Sequence, residues 1–219
     1  MNHMKKIAGG DEAGRGCAIG PLVVAGAIFD EESLLTLRNL GVKDSKMLSA
    51  KKRDALKPEI EKLASGIHYF ELSPRSIDHV VNRAIIYRKL NYLEAMAMAN
   101  IIRELGPDVA YVDPADVNIE RYVKDILRVI PVKPEIVCES KADVKYPSVS
   151  AASILAKTRR DSRIADLREE YGDFGSGYSS DHRTRKYIEE YFSGTDVCPD
   201  FIRGSWATVR RVRKSNLDK

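Results

Sequence analysis

Glutamine is absent from this chain of 219 residues, and tryptophan occurs once. Its polar residues are largely ionic, 36 Lys and Arg against 32 Asp and Glu, which is the compositional direction taken by heat-adapted proteins. Cysteine is scarce. Cys17, Cys138 and Cys198 are odd in number, far apart and without a C-x-x-C pair. That pattern gives no support to a disulfide framework or a zinc site, and a cytoplasmic, reducing compartment is expected. Long apolar runs are missing too: residues 19–29 are about half of what a bilayer span requires, so no membrane partner is expected. Residues 1–10 contain two lysines and no apolar segment, unlike a secretory signal.

What is present is enough for a buried core. Apolar residues make up 43% of the chain, which excludes a disordered or collagen-like polypeptide, and the length suits one domain with at most a small appendage. The net charge of +4 is a mild lean toward polyanions and decides nothing alone.

Residues 4–10 and 19–29 read as apolar strands around a glycine-rich turn, Asp-Glu-Ala-Gly-Arg-Gly (11–16). A lysine-rich helix over 49–64 starts at a Ser cap, and 67–72 is a third strand. Ile86, Leu90, Leu93, Ala97 and Ile101 recur at helical spacing, which predicts a core helix over 82–105 closed by Gly106-Pro107. Then follow a strand at 108–113, a helix at 119–129, a strand at 135–139 and a long helix from Pro147 to about Tyr171. Gly172, Gly175 and Gly177 interrupt, and two short helices are expected after Ser180. This order predicts an α/β fold, a mixed five-stranded sheet with helices on both faces. Residues 1–171 form the expected catalytic domain and 172–219 a mainly helical C-terminal extension.

Four acidic residues do not fit an ordinary surface. Asp11 and Glu12 end one apolar strand, Asp113 ends another, and Asp143 lies just beyond a third. Ligands of α/β sheets usually bind at such strand ends. Successive strand residues face opposite ways, so Asp11 and Glu12 share a site only if the chain turns there. Gathered carboxylates repel by about 4 kcal/mol per pair at ~4 Å and an effective dielectric of 20, a cost that a hard divalent cation such as Mg²⁺ or Mn²⁺ removes. On spacing alone a second reading stands equally: separate caps and strand ends.

Six blocks lie in register along nearly the whole chain: Asp-Glu-Ala-Gly-Arg-Gly (11–16), Asp-Ser-Lys (44–46), Tyr-Val-Asp (111–113), Lys-Ala-Asp (141–143), Ser-Val-Ser-Ala-Ala-Ser-Ile-Leu-Ala-Lys (148–157) and Gly-Ser-Gly-Tyr (175–178). Together they resemble the signature of type 2 ribonuclease H, ribonuclease HII, in its archaeal form. The resemblance implies a ribonuclease H-like sheet and an endonuclease for RNA/DNA hybrids and for ribonucleotides embedded in duplex DNA. The implied role is removal of misincorporated ribonucleotides and RNA primers. It implies that Asp11, Glu12, Asp113 and Asp143 are catalytic and bind two Mg²⁺ or Mn²⁺ ions. Metal-activated water would attack phosphorus, leaving 3′-hydroxyl and 5′-phosphate ends. Gly14, Arg15 and Gly16 would meet the ribose 2′-hydroxyl, which is what separates RNA from DNA. Tyr178 would touch the same hydroxyl, and Lys46, Ser148 and Ser150 would serve phosphate.

Several readings stay open at this stage. Asp161 is either catalytic or a helix-surface partner, and His182 is structural or substrate-facing. The late basic residues, among them Arg160 and Arg203, are a solvated face or a phosphate surface. Cys17 stands where the family commonly has proline, and Gly10 where a branched apolar residue is usual. The tail, residues 210–219, lacks the glutamine and paired aromatics of a sliding-clamp peptide. A monomer is expected. The rivals are another carboxylate-dependent nuclease on the same architecture and a non-catalytic nucleic-acid binder.

Overall fold

The computed structural model describes residues 5–42, 47–83 and 89–217. Among these residues five strands form one sheet in the order β3-β2-β1-β4-β5. The strands are β1 (Ile7–Ala13), β2 (Leu22–Phe29), β3 (Gly66–Leu72), β4 (Val109–Val112) and β5 (Glu135–Cys138). β1 runs antiparallel to β2, with Asp11 opposite Ala25, and parallel to β4, with Gly10 opposite Val112. β4 and β5 are also parallel. The expected mixed sheet is therefore present.

Every residue of β2 is buried, as a strand covered on both faces must be. On one face Ala13, Ala25, Ala27 and Phe29 pack with Leu37 of α1 (Glu31–Asn39), Leu56 and Ile60 of α2 (Ala50–Leu63) and Ala151, Ile154 and Leu155 of α7 (Pro147–Tyr171). On the other, Met98 and Ile101 of α4 (Leu90–Leu105) lie over Gly10 and Gly26. Met98 thus fills the space that a branched residue at position 10 would take.

The helix α5 (Ile119–Val129) and α7 span the residues the sequence predicts. Two boundaries differ most. β1 does not end at Gly10: Asp11, Glu12 and Ala13 stay in the ladder opposite Ala25, Val24 and Val23, and the turn begins at Gly14. The expected helix over 82–105 starts at Leu90 and is preceded by α3 (Pro74–Val81), which Ser73 caps by accepting from the Ser76 N–H at 3.1 Å. Two short helices are additional. α1 begins where Asp30 accepts the Ser33 N–H at 2.8 Å, and α6 (Ala142–Lys145) follows a left-handed Lys141 at φ 61°.

The chain falls into two compact units. The first, Met1–Ala13, Val23–Phe70 and Asn91–Arg159, holds the sheet core just described. The second is Gly14–Leu22, Glu71–Leu90 and Arg160–Lys219. It includes α3, α8 (His182–Ser193) and α9 (Ala207–Leu217) and has its own core of Ala18, Ile19, Ile164, Phe174, Ile188, Phe192, Phe201 and Val209. Residues 17–20 enter that core through bridges of Cys17 with Tyr178 and Ile19 with Ile202. Among the described residues no helix is long and apolar enough to cross a membrane.

A Cβ on Gly9 would lie 2.1 Å from the Ser148 backbone, so the start of α7 rests directly on β1. Overpacking against backbone has no cheap relaxation. Gly9→Ala is expected to cost at least about 2 kcal/mol, lowering the thermal midpoint by roughly 4 °C or more in a scanning melt.

Candidate active site

The parallel pairing of β1 with β4 decides where the first two carboxylates go. Gly10 faces Val112 and the Asp113 N–H donates to the Gly10 carbonyl at 3.4 Å, so Asp11 and Asp113 leave adjacent strand ends side by side. Asp11 shares the face of Gly9, which is the α7 face. There it meets Ser153, while the Glu12 N–H donates to Asp11 Oδ1 at 2.8 Å. The Lys157 Nζ–H donates to Ser153 Oγ at 3.0 Å, one helical turn away. Burial pushes the Asp11 carboxyl up to about 6, and the charge of Asp113 adds to the rise. Ser153, the Glu12 N–H and the Lys157 charge pull the other way. Asp113 also reaches Cys138 at the end of β5: burial first, then the charges of Asp113 and Glu139, push that thiol up to about 12.

Asp143 is buried in α6 at 1% exposure. The left-handed Lys141 turns the chain from β5 toward α6 and aims its own N–H at Asp113 Oδ1, 3.2 Å away. Such a conformation costs a non-glycine residue about 1 kcal/mol or more, so the Asp113 contact is held against strain. Glu12 is placed differently. Because β1 continues through Ala13, the expected turn after Asp11 does not occur there, and Glu12 takes the other side of the pleat. That is the α4 and α5 side, where burial, then the charges of Glu12 and Glu94, hold the Tyr122 hydroxyl well above its usual range.

The donor set of Asp11, Asp113 and Asp143 is all oxygen, and an Asp11 raised by burial and, to a smaller extent, by the charge of Asp113 is the arrangement a hard dication relieves. Among the described residues, no three His, Cys, Asp or Glu side chains form a closed metal-binding group. The protein therefore presents a carboxylate pair with a third acid on the adjoining helix.

The second unit builds a different feature around residues 14–17. Gly14 has φ 89°, and a Cβ there would lie 2.7 Å from the Pro21 carbonyl, so the fold itself demands glycine. Gly16 is exposed, and a Cβ on it would meet only the Tyr178 ring at 3.8 Å, an ordinary contact. The fold does not need that glycine. Arg160 lies over the Tyr178 ring, 4.5 Å from its centroid, donates to Cys17 Sγ at 3.0 Å and to the Ser176 carbonyl, and pairs with Asp161 Oδ1 at 3.0 Å. Arg203 is fully buried and donates to the carbonyls of Gly20 (3.1 Å), Arg15 (3.0 Å) and Gly14 (2.8 Å). Neither arginine is a solvated charge. Cys17 uses a donor that proline lacks, its N–H closing the turn onto the Gly14 carbonyl at 3.2 Å.

Ser148 and Ser150 are buried at 1% and 0% exposure near the start of α7. Ser153 and Lys157, at i and i+4 on the same helix, are the α7 residues that meet the Asp11 site, and that spacing was the available signal. Asp161 pairs with its neighbour Arg160, His182 is exposed at the start of α8, and Lys46 lies outside the described residues.

The direction of the Asp11 shift fixes a pH dependence. The folded carboxyl holds its proton more tightly than the unfolded one, so the penalty for ionising it is absent below the ordinary value of 3.8. It grows as pH rises to about 6 and is constant above. In metal-free buffer, Asp11→Asn is expected to stabilise the protein at pH 8 by roughly 3 kcal/mol. By pH 4 the gain should shrink to a fraction of that, as read from paired thermal melts.

Residues 8–209 match the family model for Ribonuclease HII. Ribonuclease HII of Pyrococcus furiosus is 46% identical over 210 residues, covering 96% of this chain and 92% of that protein. The crystal structure of the ribonuclease H2 from Pyrococcus horikoshii OT3 superposes with a TM-score of 0.89 at 38% identity, covering 98% of this chain and all of the other. The Archaeoglobus fulgidus RNase HII, solved in complex with PCNA, gives 0.81 at 42% identity over 93% of this chain and 95% of that one. With its sheet, its paired strand-end aspartates and these full-length likenesses, the chain belongs to the ribonuclease HII family of ribonuclease H endonucleases.

Proposed function

We propose that this endonuclease hydrolyses the RNA strand of RNA/DNA hybrids and also cuts at single ribonucleotides embedded in duplex DNA. The observation that carries the reading is the shared electrostatic field of Asp11 and Asp113 at adjacent strand ends. Asp143 is assigned to the same set from α6, and Glu12 is assigned to it by its motif alone, since the β1 pleat puts its side chain on the other face. Two Mg²⁺ or Mn²⁺ ions, when bound, supply an activated water and neutralise charge on the phosphodiester. The chain's own residues orient and hold. The Lys141 N–H fixes one Asp113 oxygen, and Ser153 and the Glu12 N–H fix Asp11 in its ionised form. In the net reaction water adds to phosphorus and the P–O3′ bond breaks. The departing oxygen takes a proton to become the 3′-hydroxyl, and phosphate stays on the 5′ end.

Ribose selection belongs to Gly14, Arg15 and Gly16 with Tyr178. Gly16 is bare although the fold accepts a side chain there, which fits close approach of a ligand. Lys46, Ser148 and Ser150 remain phosphate candidates by motif alone. In this reading residues 1–171 are the catalytic domain and 172–219 its helical extension. The protein works as a cytoplasmic monomer that removes misincorporated ribonucleotides and RNA primers. The clamp complex is a property of the Archaeoglobus relative. Residues 210–219 of this chain lack the glutamine and paired aromatics of a sliding-clamp peptide, and no clamp contact through them is proposed.

Cleavage of an RNA/DNA hybrid, a duplex with one ribonucleotide and an all-DNA duplex, each with Mg²⁺ and Mn²⁺, tests the reading. The first two should be cut and the third left intact. Asp113→Asn is expected to slow both reactions roughly 100-fold or more, since several kcal/mol of charge stabilisation is lost. A wild-type rate in that variant refutes the mechanism. Gly16→Ala should keep the wild-type melting temperature within about 2 °C yet lose selective cutting at the single ribonucleotide.

A further inference from the structure

A buried guanidinium needs an explanation. Arg203 is 0% exposed, stacks over the Trp206 ring at 4.7 Å and spends its donors on backbone carbonyls within the second unit. Two of those carbonyls, Gly14 and Arg15, belong to consecutive peptides of the glycine loop, whose Gly16 is exposed. In a trans peptide the C=O and the following N–H point in opposite directions. Holding the Gly14 and Arg15 carbonyls inward therefore turns the N–H groups of Arg15 and Gly16 away from Arg203. The third carbonyl, Gly20, steadies the guanidinium at the far end of the same segment. Lysine could not replace this fork, because an ammonium lacks the planar spread of donors.

Arg203 is itself held. The next two residues donate to one carboxylate of α3: the Gly204 N–H to Asp78 Oδ2 at 2.7 Å, and the Ser205 N–H and hydroxyl to Asp78 Oδ1 at 3.0 and 2.5 Å. Asp78, Gly204–Ser205, Arg203 and the Gly14–Arg15 peptides thus form one continuous hydrogen-bonded chain.

We propose that Arg203 is the positioning residue for ribose selection: it presets two adjacent backbone N–H donors, those of Arg15 and Gly16, for a ribose 2′-hydroxyl, with Asp78 as its anchor. The inference rests on the reading that the Gly14–Gly16 loop meets that hydroxyl. Arg203 touches no substrate in this role and acts through the loop.

The test uses binding, without divalent metal, to a duplex bearing one ribonucleotide and to the matching all-DNA duplex. Arg203→Lys should reduce the preference for the ribonucleotide duplex about ten-fold, the upper worth of one well-made neutral hydrogen bond, while all-DNA affinity stays within two-fold. In Arg203→Ala, millimolar guanidinium should restore preference and ammonium should not. A folded Arg203→Lys that keeps the wild-type preference overturns the inference, as does one that weakens both duplexes equally. Where the Arg203 variants do not fold, Asp78→Asn decides: reduced preference supports the inference and full preference overturns it. Gly16→Ala run in parallel separates the two levels. If it keeps the preference, the ribose-reading assignment of the loop fails. If it loses preference while Arg203→Lys does not, only the role of Arg203 fails.

Discussion

Two like charges on adjacent parallel strands are the constraint on which the rest of the first unit depends. At the ~4.8 Å spacing of neighbouring strands, the repulsion of two carboxylates is about 3–4 kcal/mol at an effective dielectric of 20. No apolar packing removes it, and moving either residue inward along its strand would deepen the burial. The chain instead surrounds the pair with donors from three sources: a hydroxyl on α7, the N–H of the next residue in β1, and the N–H of Lys141 in a backbone conformation that few side chains adopt. These contacts lessen the repulsion without cancelling it. What remains is a standing demand for positive charge at one edge of the sheet, and that demand is the chemical asset of a phosphodiesterase.

The structure divides labour by chain segment. Acidic chemistry lies within the sheet unit, whereas the glycine loop, Tyr178 and the two buried arginines lie within the other. Only two residues, Glu12 and Ala13, separate Asp11 from Gly14. In the proposed reading, the end of β1 therefore passes from a segment that acts through side chains to one that acts through its backbone. Arg160 and Arg203 serve that second segment from inside the unit, against Tyr178 in one case and the peptide carbonyls in the other.

Much of this was legible beforehand. Strands of unbroken apolar residues and the spacing of α5 and α7 announce themselves because burial on both faces, or along a stripe, demands those patterns. The carboxylates could be picked out because charge at the end of an apolar run is costly without a purpose. Other features carry no such mark. Arginines at 160 and 203 look like the others in a basic tail, and only the folded chain shows that they are buried. The extension of β1 through Asp11 and Glu12 was hidden because local composition favours a turn, while pairing with Val24 and Ala25 holds the strand straight. Ser150 and Ser153 lie three residues apart on α7 and are equally buried, and no local sequence feature marks which hydroxyl meets Asp11.

Cys17 sits immediately after the glycine loop, and its thiol is entirely enclosed. Burial raises its pKa, against the partial opposition of Arg160 and Arg203. Oxidants and alkylating agents react with thiolate, and thiolate is what this enclosure suppresses. A sulfur atom next to the loop proposed for ribose selection is thereby kept chemically silent, so exposure to peroxide should leave any selection made there untouched.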